Sequence, residues 1–300
     1  YLVYLIAKKF LSERLSLFAV GLMSLSTIFL LIGSTNVLEM PFIAFGLAGV
    51  YFALQSKFGL SGFMFGLSFL CKELAVVTFA AVLVFFIVKR VPFWRIFWFS
   101  AVGFLVAFFG LWLFELVYQP MIDGVLIGNP VHHLLVMVNY QFNLNGLRNE
   151  AASLWTAWYP PISWVSPFGE NAWNPQRWIW LEVGGRLYYQ FTPQLNGAVE
   201  YVMLPLLIVL HVVYWFKRNA LALMSWLCLG FSFVPWFIVG FLVRTEANFY
   251  VGPSVPFLAL GCAYLYSLVP NRKLKYALAV TQLVVGVIFF LYYFPIPFFR

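Results

Sequence analysis

Three hundred residues that are 63% hydrophobic, 21% aromatic and 9% charged, with a mean hydropathy of +0.91, exclude an ordinary soluble domain. Such a domain carries about 45–50% apolar and about 25% charged residues. The formal net charge of +8 would suit a nucleic-acid partner in a soluble protein, but its distribution here follows the membrane. Cys71, Cys228 and Cys262 lie far apart and form no metal or redox spacing.

The counting unit is therefore the apolar span, which needs roughly 17–25 residues to cross the hydrocarbon. Residues 1–7, ahead of Lys8 and Lys9, are too few for a span or a signal peptide and read as the tail of a helix that begins upstream. Residues 15–33 are uncharged and long enough to cross, and 40–56 follow after a polar turn and Glu39. Two shorter runs, 58–71 and 74–88, flank Lys72 and Glu73, which suggests a tight hairpin whose tip lies below the bilayer surface. Residues 96–114 form the next span.

Residues 115–200 are the only long stretch that cannot be read as spanning, and they hold six of the twelve tryptophans and seven of the sixteen prolines. Beyond them, 201–216, 219–243, 247–270 and 276–299 are again apolar. The expected architecture is an all-α polytopic membrane protein of nine spans and the remnant of a tenth. An N-terminal membrane block (1–114) and a C-terminal one (201–300) flank an external, aromatic-rich segment (115–200) with short helices.

Alternating the spans assigns every charge to a side. One side receives Lys8, Lys9, Arg14, Lys57, Lys89, Arg90, Arg95, Lys217, Arg218, Arg272, Lys273 and Lys275, and the other receives every acid except Glu13. By the positive-inside rule the lysine-rich side is cytoplasmic, so Glu39, Lys72, Glu73, the 115–200 segment, Arg244 and Glu246 gather outside. The net charge is then an orientation signal, and no nucleic-acid partner is expected.

Few residues are placed for chemistry. Glu39, directly before Met40-Pro41, reads either as a helix-start carboxylate favoured by the helix dipole or as a metal or substrate ligand at the outer rim. Arg244 ends one span and reads either as an interfacial arginine paired with Glu246 or as a bidentate phosphate clamp. Lys72 either neutralises Glu73 at the hairpin tip or contacts a phosphate. His132-His133 suits packing or capping better than a metal, because adjacent histidines point apart on a helix. The tryptophans, Trp155 and Trp158 among them, suit an interfacial belt or a groove in which flat apolar faces stack on a sugar or lipid. No internal repeat or paired helix interruption of the transporter kind is visible.

Several stretches resemble the GT-C class of membrane glycosyltransferases, and within it the dolichyl-phosphate-mannose protein O-mannosyltransferase family with its archaeal and bacterial relatives. These are STNVLEMP (34–41) leading into FIAFGLAGVY, GLSGFMFGLSFLCKE (59–73), and RTEANFYVGPSVPFLALG (244–261). Within the outer segment NPVHHLLVMVNYQ (129–141) and SLWTAWYPPISW (153–164) are also similar. The outer turn departs from the family by lacking a histidine before its serine, and Val251 stands where some members have histidine.

The resemblance implies transfer of a sugar, mannose in that family, from a polyprenyl or dolichyl phosphate to an acceptor hydroxyl, on protein, at the outer or lumenal face with inversion. It places Glu39 as an acceptor-orienting or metal-binding acid and puts Arg244 and Lys72 on the donor phosphate. Trp155, Trp158, Asn248 and Tyr250 would border the acceptor or sugar groove. The catalytic base is expected before Tyr1. No cofactor follows from these residues, and a divalent metal ion at Glu39 would need ligands from that upstream loop. Expected partners are the lipid-linked sugar, membrane lipid, a protein or lipid acceptor and other membrane subunits. The expected location is the cell membrane of an archaeon or bacterium, with 115–200 outside, in preference to the endoplasmic reticulum. The rival expectation is a non-catalytic subunit or transporter that keeps the scaffold.

Overall fold

A computed structural model describes residues 1–34, 39–118, 121–122, 125–126, 129–143, 179–183, 186–191, 196–235 and 248–293. Each of the nine apolar runs carries helix. In the N-terminal block these are α1 (Leu2–Lys8), α2 (Glu13–Ser24), α3 (Thr27–Ser34), α4 (Glu39–Leu54), α5 (Phe58–Cys71), α6 (Ala75–Val88) and α7 (Phe93–Tyr118). After α8 (Pro130–Asn143) come α9 (Met203–Lys217), α10 (Ala220–Phe233), α11 (Val255–Ser267) and α12 (Arg272–Tyr293). Backbone polar groups in hydrocarbon must be satisfied within the segment, so long apolar runs become helices. Three stretches among the described residues are long and apolar enough to cross alone: Phe93–Tyr118, Glu200–Lys217 and Arg272–Leu291.

One expected span is not continuous. Residues 15–33 divide into α2 and α3 at Leu25-Ser26, where Ser26 Oγ accepts the Phe29 N–H at 3.1 Å and so caps α3. The carbonyl freed at Leu25 receives the Asn196 side-chain amide at 2.7 Å. The break is thus stabilised by a residue 171 positions away in sequence.

Within the segment 115–200 the described residues carry strand as well as helix. Besides α8 it contains two antiparallel hairpins, β1 (Met121–Ile122) with β2 (Val125–Leu126) and β3 (Ile179–Val183) with β4 (Arg186–Phe191), the latter bulged between Leu181 and Glu182. IWLEV and RLYYQF are rich in β-formers and flank Gly184-Gly185, a turn signal that the reading of the tryptophans as a belt or groove passes over.

α10 and α11 form the centre, with Leu221, Leu223, Met224, Phe233, Leu258 and Leu260 all at 1% exposure or less. α7 and α12 lie outside them and keep apolar side chains such as Phe104, Phe109, Val280 and Ile288 exposed, as a lipid-facing surface requires. α5 approaches α7 most closely, through Gly62 and Gly66: a Cβ at Gly62 would collide with the Phe99 carbonyl, and one at Gly66 would lie 2.6 Å from Val106 Cβ. Gly62 and Gly66 make a small-xxx-small pair, which lets helix backbones meet where lipid offers no hydrophobic drive.

At one end of the bundle three lysines close helix C-termini that belong to other helices. Lys9 Nζ donates to Leu54 O of α4 at 2.6 Å, Lys275 Nζ to Ser267 O of α11 at 3.0 Å, and Lys89 Nζ to Arg218 O, just beyond α9, at 3.4 Å. The last carbonyls of a helix lack intrahelical partners and carry the negative end of its dipole, so an ammonium group suits them.

Candidate functional site

Glu39 and Lys72 lie at the opposite end of the bundle, and the α4–α5 hairpin sets them face to face. Ser61 Oγ donates to Gly49 O at 2.8 Å and Ser68 Oγ to Phe42 O at 2.7 Å, two rungs that are two turns apart on both helices. Gly46 and Gly49 provide the room, since a Cβ at either would meet Ser68 Oγ or the Phe65 ring. One further turn along the same register are Glu39, the first residue of α4, and Lys72, which follows α5 in extended backbone. Lys72 Nζ and Glu39 Oε1 form an ion pair.

Lys72 thus takes an ion-pair partner, Glu39, that lies 33 residues away in sequence. The reason is geometric, because the hairpin register points Lys72 back over α4 while Glu73 enters the turn to α6. The pair is largely withdrawn from solvent, with side chains 10% and 17% exposed. A buried carboxylate or ammonium is stable only when paired. Among the described residues no three His, Cys, Asp or Glu side chains gather as a metal site would require.

The other expected site residues are less fully described. Asn248 and Tyr250 fall in a 3-10 helix, Asn248–Ser254, that packs on α3, α10 and α11, but the positions of their side chains lie outside the described part. Its neighbour α3 is the helix that leads towards Glu39. Arg244, Trp155 and Trp158 lie outside the described residues.

The stretch that builds the Glu39–Lys72 hairpin lies within a match to a protein family. Residues 1–117 match the family described as dolichyl-phosphate-mannose-protein mannosyltransferase. The match takes in Glu39, Lys72 and α7, and it supports a membrane glycosyltransferase of the dolichyl-phosphate-mannose type. No curated protein and no solved structure matches the chain.

Within the same mannosyltransferase-like stretch, Glu115 makes a contact that sequence reasoning missed. Near the end of α7 it is 7% exposed, and its Oε1 bonds His133 Nδ1 in the first turn of α8. The α8 start is capped by Asn129, whose Oδ1 accepts the His132 N–H at 2.7 Å, with Pro130 as the first helical residue. His133 is thus an acid's partner, while the cap is Asn129. A carboxylate held near the end of a helix that is uncharged from Ile96 to Phe114 was the available signal.

A second cluster lies deeper. Asn196 is fully buried and bridges two helices, donating to Leu25 O at 2.7 Å and Gly286 O at 2.8 Å. Its own carbonyl accepts the Val199 and Glu200 N–H groups, each at 2.9 Å. Glu200, also fully buried, accepts the Ser26 hydroxyl, and Gln282 donates to Ala198 O at 2.7 Å. This network holds a non-helical stretch among helices, which is tolerated at membrane depth only inside protein or along a cavity.

Proposed function

We propose that this protein transfers a sugar, mannose by its family resemblance, from a polyprenyl or dolichyl phosphate to an acceptor hydroxyl on protein at the outer membrane face. The observation that carries the reading is the part-buried Glu39–Lys72 pair, inside the stretch that matches the mannosyltransferase family. The acceptor oxygen bonds the anomeric carbon from the face opposite the phosphate, the bond from that carbon to the phosphate oxygen breaks, and the electron pair leaves on the phosphate. The acceptor's proton passes to a carboxylate base. Lys72 and Arg244 stabilise the departing phosphate, whose charge grows as the bond breaks.

In this scheme Glu39 holds the Lys72 ammonium in place and orients the acceptor. A divalent ion at Glu39 would require further oxygen ligands. Trp155, Trp158, Asn248 and Tyr250 border the sugar and acceptor groove. An isoprenoid tail needs an apolar slot, and a groove of about 250 Å³ between α9 and α10, lined by Leu207, Trp226, Gly230, Phe231 and Pro235, offers one. In sequence Pro235 opens directly onto the 236–247 stretch that holds Arg244. The membrane is that of a prokaryotic cell, with the Glu39 end and 115–200 outside.

The test is transfer of labelled mannose from a polyprenyl phosphate to membrane protein by cells producing the native protein or its Arg244→Ala and Lys72→Met variants. Loss of labelling in both variants, at equal protein level, is expected; unchanged labelling removes the assigned roles. The second reading, a non-catalytic membrane subunit, draws on the fact that Lys72 already has its charge neutralised by Glu39. It requires that the native protein transfers no label.

A further inference from the structure

The lysine-rich end of the bundle carries more cations than the capped helix ends occupy. Lys57, Lys89, Arg90, Arg95, Lys217 and Arg218 are all exposed there. Side-chain contacts draw them into one patch. Lys89 reaches the Arg218 carbonyl at 3.4 Å, which joins the ends of α6 and α9. The Phe58 ring lies 5.1 Å from that of Phe86, joining the start of α5 to the end of α6, and the Arg95 guanidinium sits 5.6 Å over Phe58, beside Lys57. Arg218 stacks over Trp215 at 4.4 Å. None of the six forms an ion pair with an acid among the described residues.

The patch borders an apolar, aromatic edge. Phe93 is 79% exposed and Trp94 69%, with Phe97 and Trp98 also exposed in the first turns of α7. From there the exposed flank of α7 runs on through Phe104, Phe109 and Trp112, side chains suited to lipid tails. Cations therefore stand at the end of a surface made for acyl chains.

We propose that this patch binds the phosphate headgroups of anionic lipids in the adjacent, cytoplasmic leaflet. Charge complementarity identifies the headgroup, because guanidinium and ammonium groups without acidic partners meet phosphate with charge-assisted hydrogen bonds. Continuity with the lipid-facing flank of α7 identifies the source. A soluble polyanion would use the cations alone, whereas a lipid whose acyl chains lie along α7 engages the cations and the aromatic edge together, with tryptophan at headgroup level. The proposal does not depend on the glycosyltransferase reading.

Native mass spectrometry of the purified full protein, titrated with phosphatidylglycerol or with phosphatidylcholine of the same chains, tests it. The native protein is expected to retain phosphatidylglycerol in preference. An Arg90→Gln/Arg95→Gln/Lys217→Gln variant is expected to lose at least about tenfold in that affinity, since each basic residue near an anionic surface contributes roughly fivefold. An Arg14→Gln/Arg272→Gln/Lys273→Gln variant, altered at the same end of the bundle but outside the patch, is expected to keep it. Equal retention of the two lipids by the native protein overturns the proposal. So does equal loss in the two variants, or displacement of bound phosphatidylglycerol by millimolar inorganic phosphate.

Discussion

The Ser68 hydroxyl donates to the Phe42 carbonyl at 2.7 Å, and that bond sets the register that brings Lys72 over Glu39. Ser68→Ala is expected to cost about 1 kcal/mol, the usual worth of one interhelical hydrogen bond. Its effect on transfer should exceed its effect on stability, because it loosens the placement of Lys72. Thermal unfolding in detergent, followed by tryptophan fluorescence, and donor KM measure the two separately.

Breaking the pair at one end should be far more damaging than removing both charges. Lys72→Met alone leaves Glu39 buried and uncompensated, at a cost of roughly 3–5 kcal/mol. Glu39→Gln with Lys72→Met should recover most of that stability and none of the transfer activity. A double-mutant cycle on unfolding free energy checks the coupling, and additive losses would deny it.

The α5–α7 crossing predicts a contrast between glycines. Gly62→Ala pushes a methyl into the Phe99 carbonyl and should destabilise by roughly 1–3 kcal/mol or more. Gly230→Ala meets only Leu207 Cδ1 at 3.6 Å and should be tolerated. Melting temperatures of the two variants in the same detergent decide the point.

Asn196 donates one hydrogen bond to Leu25 O at the break between α2 and α3 and a second to Gly286 O of α12. Asn196→Ala should cost about 1–3 kcal/mol for each carbonyl left without its donor. Asn196→Asp should be worse than alanine despite its closer shape, because a carboxylate would face the Leu25 and Gly286 carbonyls with nothing to donate. Equal melting temperatures for the two variants would contradict this account.

The helices of the apolar runs were legible because lipid imposes a local rule: a long apolar run becomes helix. What was not legible depends on residues distant in sequence. Residues 15–33 pass every test for one span, yet Asn196 and Ser26 together satisfy a break in the middle. Lys72 has Glu73 beside it in sequence, and only the rungs at Ser61 and Ser68, seven residues apart in GLSGFMFGLSFLCKE, indicate that it faces Glu39. The spacing was on view; the serine periodicity was its sign. His133 gave no sign of Glu115, since the two meet only when α8 folds back on the end of α7.

The lysines that close helix ends tie insertion to durability. Lys9, Lys89 and Lys275 carry the charge that the positive-inside rule reads as the chain enters the bilayer, and in the folded protein the same atoms seal α4, α11 and the turn after α9. A redesign that flips the orientation by neutralising these positions would therefore also unseal three helices. Moving the charge to arginine elsewhere on the same loops would keep the topology and still lose the seals. For this protein, orientation and endurance are not separable engineering parameters.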